Sequence, residues 1–328
     1  MTKVGVIGLG NWGTALASHL ATKDLDVLGW SIEQDVIDGI NNRHQNPVYV
    51  PGIDLHPGLR ATGNLEEVSS REFVLLTLPS KVMGKVLPGL SMAPGAVLIS
   101  AVKGLVMQTL QTPLQFAKDN LKTHPALVVF SGPSFSRDVL ARRPAGIVAA
   151  SDEHAAAQRV AELFSNECMK VYVADDTLGV ELGGILKNVI AIAAGVSDGM
   201  GLGDSARAGI ITRGLAEMMR LAVAMGAQAM TLSGLSGLGD LAMTASSDLS
   251  RNRRLGLGLG QGGSLEDVLK SLGSVAEGAV TAPIVVELAA KYGIEMPISS
   301  HVNELIANRI SPAQMLKSLI TRPIRREF

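Results

Sequence analysis

A single cysteine, Cys168, among 328 residues excludes any disulfide within the chain and is compatible with reducing surroundings. Charge of one sign is also missing. With 29 basic and 30 acidic side chains the net charge is -1, so nothing pulls the chain toward nucleic acid or an anionic membrane at long range. No run of about 18 strongly apolar residues stands out, and the nearest approach, Val189 to Val196, is short and rich in alanine. A membrane-spanning segment is therefore not expected. The chain enters a strand at Lys3-Val4-Gly5-Val6-Ile7 without the basic start, apolar stretch and cleavage site of a secretory signal, which points to the cytoplasm. Three of its histidines, His44, His56 and His124, lie in loop-like regions and none forms HExxH, so no metal site is expected.

What is present is a chain long enough for two domains, 47% hydrophobic, with 36 glycines. Short apolar runs recur through the first half: Val4 to Ile7, Asp26 to Trp30, Phe73 to Leu78, Ala96 to Ser100, Ala126 to Phe130, Gly146 to Ala150 and Val171 to Val173. Helical patterns over Trp12 to Leu20, Lys81 to Leu90 and Asp152 to Ser165 separate some of them, and residues 41–60 read as a loop excursion. Alternation of this kind predicts an α/β domain with a mostly parallel sheet covered on both faces. After about residue 177 the pattern turns helical, over Glu181 to Ala194, Ser205 to Gly226, Ala282 to Tyr292, Ile298 to Asn308 and Pro312 to Leu319. Apolar residues wrap much of the first of these, which marks it as the central helix of an all-α second domain. The alternating glycines and leucines of Gly256 to Gly263 read as the least regular part. The expected domains are 1–178 and 179–328.

Gly8-Leu9-Gly10-Asn11-Trp12-Gly13 lies between the first strand and the first helix. In that context Gly8 permits a tight turn, Gly10 admits a pyrophosphate to the backbone, and Gly13 lets the helix pack closely on the sheet. The helix N-terminus then offers unpaired N–H groups to phosphate charge. The expectation is a Rossmann-like domain binding NAD or NADP. Which of the two stays open: in Trp30-Ser31-Ile32-Glu33, Ser31 could bond either form, and Glu33 is equally well a ribose ligand or a first-turn helix acid.

The second half carries polar groups in apolar company. Lys187, within Ile185-Leu186-Lys187-Asn188-Val189-Ile190, must reach a cleft, pair with an acid or lose its proton. It reads either as a structural ion pair or as a proton-transfer group. Asp240, in Gly237-Leu238-Gly239-Asp240-Leu241, is a turn aspartate or a partner for that lysine, and Thr244 lies one helical turn on. In Ser250-Arg251-Asn252-Arg253-Arg254, Arg251 and Asn252 suit a phosphate, while Arg253 and Arg254 suit a solvated face. Lys103-Gly104 and Ser131-Gly132-Pro133-Ser134-Phe135-Ser136 follow strands and read as crevice residues or simple turns.

Together these motifs resemble the bacterial type of NAD(P)-dependent glycerol-3-phosphate dehydrogenase. The resemblance covers nearly the whole chain and adds Tyr49-Val50-Pro51-Gly52, Leu78-Pro79-Ser80, Gly183-Gly184-Ile185-Leu186-Lys187-Asn188, Thr212-Arg213-Gly214-Leu215-Ala216-Glu217, Gly234-Leu235-Ser236-Gly237-Leu238-Gly239-Asp240-Leu241 and Glu277-Gly278. It implies reversible reduction of dihydroxyacetone phosphate to sn-glycerol 3-phosphate for phospholipid biosynthesis, by a homodimer, with Lys187 as general acid/base beside Asp240. Taken with the residues above, the candidate substrate set is Lys103, Gly132, Ser134, Lys187, Asn188, Asp240, Thr244, Ser250, Arg251 and Asn252. The candidate cofactor set is Gly8, Gly10, Asn11, Trp12, Gly13, Ser31, Tyr49, Lys103, Ser134, Ser136, Arg251, Val275 and Glu277. Departures from the family pattern are Ser31 for a frequent arginine, Val106, Ser136, Ala245, and Ser205 for the usual asparagine. A β-hydroxyacid or ketopantoate reductase, needing no phosphate grip, and a dinucleotide sensor with an inert Lys187 region are the competing classes.

Overall fold

Strand residues of the first half send alternate side chains to opposite faces of one sheet, and both faces are buried. Val4, Val6, Phe73, Leu75, Val97 and Ile99 fill one core, while Ile7, Val74, Leu76 and Leu98 fill the other. That double burial is why the strands read as continuous apolar runs. The structure, a computed structural model, describes residues 1–107, 109–273, 276–324 and 326. It divides into two compact units, Met1–Glu181 and Leu182–Phe328.

The first unit holds an eight-stranded sheet in the order β3-β2-β1-β4-β5-β6-β7-β8. The strands are β1 Lys3–Ile7, β2 Asp26–Trp30, β3 Leu59–Thr62, β4 Phe73–Leu76, β5 Val97–Ser100, β6 Ala126–Ser131, β7 Ala145–Ala150 and β8 Met169–Ala174. All neighbours run parallel except β6 and β7. Its helices are α1 Asn11–Ala21, α2 Gln34–Arg43, α3 Leu65–Ser69, α4 Met83–Val86, α5 Pro113–Asn120, α6 Ser136–Leu140 and α7 His154–Phe164. The strand order reverses beside β1, so the loop leaving β1 opens at the point where doubly wound sheets bind ligands.

Two expectations for this unit change. Residues 41–60 are not one excursion, because α2 runs to Arg43 and Leu59–Thr62 pairs with β2 as an edge strand. Only Leu59 and Ala61 of that strand point inward, too few to read as a pattern. The helix expected over Lys81 to Leu90 is instead α4 between two 3-10 turns, Ser80–Val82 and Leu87–Gly89, with Pro88 in the second. Farther on, Glu181 is fully buried and accepts the Leu114 backbone N–H at 2.9 Å, at the start of α5. Burial pushes its carboxyl up to about 7, against the opposing bonds from Thr112 and Leu114.

Among the described residues no strand lies beyond β8. The helices there are α8 Thr177–Gly199, α9 Gly203–Ala224, α10 Ala229–Ser233, α11 Asp240–Ser246, α12 Arg251–Gly260, α13 Leu265–Leu272, α14 Glu277–Lys291, α15 Pro297–Ile306 and α16 Pro312–Ile320. By length and composition α8 could cross a membrane, with mean hydropathy 1.5 over its best window, but that window is entirely buried within the protein. The central helix expected over Glu181 to Ala194 extends at both ends, and the glycines and alanines around its apolar residues complete a buried core helix.

The stretch from Gly256 to Gly263 is also corrected, since most of it is the second half of α12. Gly195 and Gly199 on α8 face Gly256 and Gly260 on α12 across a crossing with no room for side chains. A Cβ on Gly195 would lie 2.0 Å from the Arg253 carbonyl oxygen, and one on Gly256 would lie 2.0 Å from that of Ile192. Paired small residues four apart let two helix backbones touch, and this contact outweighs the poor helix propensity of glycine.

Candidate active site

The loop after β1 is built for an anion at its open side. Gly8 sits at φ 106°, a left-handed turn whose N–H donates to the Trp30 carbonyl at 3.1 Å. A Cβ on Gly13 would lie 1.8 Å from the Gly8 carbonyl oxygen, so only glycine lets α1 start so close to the strand. Around Gly10 nothing lies within 4 Å of such an atom. No side chain caps α1 and its first turn holds no acid, leaving its first N–H groups for a ligand. The Trp12 indole nitrogen is buried without a hydrogen-bond partner. A cradle open only at Gly10, with donors and no carboxylate at the helix start, fits a dinucleotide pyrophosphate.

Two residues missed in the sequence hold this loop. Asn46 is fully buried, and its Nδ2 donates to the Leu9 carbonyl and to Thr14 Oγ1, both at 2.8 Å. Thr77 Oγ1 donates to the Gly8 carbonyl at 2.7 Å. Neither is near the loop in sequence, and no local signal marks them. Asn11 Nδ2 donates to the Tyr49 carbonyl at 2.8 Å, and Tyr49 Oη donates to Glu33 Oε1 at 2.9 Å. Ser31 is buried, and its Oγ accepts the Glu33 N–H at 3.1 Å. At the ends of β5 and β6, Lys103 Nζ and Ser134 Oγ both donate to the Gly132 carbonyl, at 3.2 and 3.1 Å. These three predicted residues therefore meet, and Ser136 opens α6 nearby in the chain.

In the second unit the structure brings Lys187, Asp240 and Thr244 together. The Lys187 ammonium on α8 donates to Asp240 Oδ1 at 2.6 Å and to Thr244 Oγ1 at 2.7 Å. Thr244 Oγ1 in turn lies 3.3 Å from the same carboxylate oxygen. The lysine and aspartate side chains are only 6% and 0% exposed, so each charge depends on the other. Asp240 is delivered by a π-helical turn, Leu235–Gly239, running straight into α11. It packs close to α8: a Cβ on Gly183 would lie 2.6 Å from the Ser236 carbonyl oxygen.

Asn252 joins this core. Its Nδ2 donates to Asn188 Oδ1 at 2.9 Å, and its Oδ1 accepts the Gly278 N–H at 2.9 Å. Ser250 caps α12 by accepting the Arg253 N–H at 3.2 Å. Arg251 retains exposed surface; desolvation lowers its pKa and the charge of Glu277 pulls it back up. Arg253 does not lie on a solvated face as expected. It is buried, its guanidinium held by Asp198 of α8 at 2.7 Å and by Asp248, so that it anchors α12 to α8. Arg254 is exposed. Val275 lies outside the described residues. Among the described residues no cluster of three or more His, Cys, Asp or Glu is arranged to hold a metal ion.

Sequence comparison matches residues 3–157 to the N-terminal profile, and 176–317 to the C-terminal profile, of NAD-dependent glycerol-3-phosphate dehydrogenase. The chain belongs to the NAD-dependent glycerol-3-phosphate dehydrogenase family. Relatives named glycerol-3-phosphate dehydrogenase (NAD(P)+) include those of Geobacter sulfurreducens, 46% identical over 99% of this chain and 98% of that protein, and Trichlorobacter lovleyi, 47% identical over 99% of both. The crystal structure of glycerol-3-phosphate dehydrogenase from Coxiella burnetii superposes with a TM-score of 0.93 at 34% identity, covering 98% of this chain and 99% of that one. The family thus takes in both units of the chain.

Proposed function

We propose that this member of the glycerol-3-phosphate dehydrogenase family catalyses the reversible reduction of dihydroxyacetone phosphate to sn-glycerol 3-phosphate with NADH or NADPH. The observation that carries the mechanism is the buried Lys187–Asp240–Thr244 cluster. When bound, the nicotinamide supplies a hydride to the ketone carbon or takes it back from the alcohol. Lys187 Nζ gives a proton to the ketone oxygen as that oxygen becomes alkoxide-like, and in reverse receives the alcohol proton. Asp240 holds the ammonium in place, and Thr244 fixes its direction. Arg251, opening α12, is assigned to the substrate phosphate, where a guanidinium fork matches paired oxygens. Asn252 positions Asn188 and the start of α14. Lys103, Gly132 and Ser134 are assigned to the cofactor and substrate near the nicotinamide, and the loop from Gly8 to Gly13 to the pyrophosphate.

The family resemblance of the motifs supports the remaining parts of the reading: a cytoplasmic homodimer whose product feeds glycerophospholipid synthesis. The test is oxidation of NADH or NADPH at 340 nm by the purified protein with dihydroxyacetone phosphate, beside unphosphorylated dihydroxyacetone and 2-oxo acids. Turnover confined to the phosphorylated ketone is expected. Arg251→Ala should raise KM for that ketone roughly 10- to 100-fold, the worth of a charge-assisted hydrogen bond. An unchanged KM would place the phosphate elsewhere.

A further inference from the structure

We propose that the turn following β2 makes this enzyme select NAD(H) over NADP(H), with Glu33 as the selecting residue. The proposal rests on the dinucleotide reading of the loop after β1 and goes beyond it by choosing between the two nucleotides. In a doubly wound sheet the adenosine ribose lies at the end of β2, where a carboxylate accepts the 2′-hydroxyl and an arginine accommodates a 2′-phosphate. Here β2 ends at Trp30, whose carbonyl receives the Gly8 N–H. The Ser31 N–H is bound to the Thr62 carbonyl at 3.2 Å and its hydroxyl to the Glu33 N–H, so the turn is held in one shape.

Glu33 then stands at the N-cap position of α2, half-buried, with its carboxylate fixed by Tyr49 Oη. Tyr49 is itself fixed at both ends of its backbone. Its N–H donates to Asn46 Oδ1 at 3.1 Å and its carbonyl accepts from Asn11, the first residue of α1. The carboxylate is thereby tied, through one tyrosine, to the start of the helix that faces the pyrophosphate. Burial, and then the bond to Glu33, raises the Tyr49 pKa, so the phenol remains a donor at neutral pH.

Glu33 stands apart from basic side chains on its own element. Among the described residues no ion pair engages it, Ile32 is an 83% exposed aliphatic side chain, and Asp35 adds a second carboxylate in the first turn of α2. The first basic residue after the turn is Arg43, at the far end of α2, about 15 Å along the helix axis. The N-terminus of α2 would by itself favour an anion, but Glu33 at the N-cap and Asp35 in the first turn bring two negative charges to that end of the helix. A 2′-phosphate would be set against fixed negative charge, whereas a 2′-hydroxyl meets an acceptor.

Equilibrium titration of the full-length protein with NADH and with NADPH, read by nicotinamide fluorescence without substrate, tests this. NADH should bind roughly 100-fold more tightly, the scale of a like-charge juxtaposition. Glu33→Gln should shrink that ratio mainly by tightening NADPH, and Ile32→Arg added to it should bring the two nucleotides level. Tyr49→Phe should weaken NADH without helping NADPH, because the carboxylate stays. Equal affinities in the unaltered protein, a preference for NADPH, or an unchanged ratio in a Glu33→Gln protein with normal circular dichroism would overturn the proposal. Failure of the folded protein to bind either nucleotide would overturn the dinucleotide reading itself.

Discussion

Replacing Lys187 by methionine removes a buried ammonium while keeping most of the side-chain volume. Asp240, with no exposed surface, is left as a carboxylate without its ammonium, the Thr244 hydroxyl still 3.3 Å away. Breaking a buried pair from one side costs about 3–5 kcal/mol. That is a large part of the roughly 5–15 kcal/mol that holds an ordinary domain together, and should lower the melting midpoint by roughly 6–20 °C. Adding Asp240→Leu removes the carboxylate as well, and an apolar pair in place of a buried ion pair is often neutral or better. The Thr244 hydroxyl then lacks Lys187 and Asp240, a cost of about 1–3 kcal/mol. The double variant should therefore melt well above Lys187→Met alone. Its activity should not recover: both should turn over dihydroxyacetone phosphate about 10²–10⁴-fold more slowly than the parent, the worth of one positioned proton donor. Circular dichroism melts and steady-state assays on the same samples separate the two effects. Parental stability in Lys187→Met would refute the charge pairing, and turnover within about threefold of the parent in the stable double variant would refute the proton role.

Gly256→Val should force α12 away from α8 through the Ile192 carbonyl, costing about 1–3 kcal/mol and raising KM for dihydroxyacetone phosphate while the NADH dissociation constant stays put. Gly209→Ala, in α9 with nothing within 4 Å of the new atom, is the control and should be neutral or slightly stabilising. Glu181→Gln tests the raised carboxyl at the start of α5. The folded state keeps that proton to about pH 7 while the unfolded chain, with its ordinary value of 4.5, gives it up sooner. Stability contributed by the protonated acid is complete below 4.5 and is lost as pH rises through 7. The glutamine variant should thus gain up to about 3 kcal/mol over the parent at pH 8 and nothing at pH 4, by urea unfolding. An equal advantage at both pH values would mean that Glu181 does not carry the titration.

Much of the fold was legible because one physical rule governed each segment. The central sheet strands are buried on both faces, so they read as apolar runs, whereas the edge strand β3 is not and was missed. Where two rules competed, the reading failed. Gly256 to Gly263 looked irregular because propensity counts each glycine against a helix, whereas here the glycines are what let α12 touch α8. Arg253 looked solvated because its neighbours in sequence are charged, and its buried partner Asp198 is 55 residues away. Lys81 to Leu90 looked helical by pattern, but the run ends in a 3-10 turn that contains Pro88.

By itself, the sequence determined what each segment could do. Gly8, Gly10 and Gly13 at their spacing after a strand specify a tight strand-to-helix turn left open at Gly10, because backbone sterics act within a few residues. An ammonium among isoleucines and valines at Lys187 specifies that some partner must exist, because burial penalises an unpaired charge anywhere. Tertiary structure alone decided which partner that is. Asp240 lies 53 residues from Lys187, and only the packing of α11 on α8 closes their oxygen and nitrogen to 2.6 Å. It likewise gave Glu33, at the N-cap of α2, a partner 16 residues away in Tyr49, whose hydroxyl donates to its carboxylate. Short-range geometry is written in local residue types, while long-range pairing is the joint outcome of all the surfaces that must be buried together.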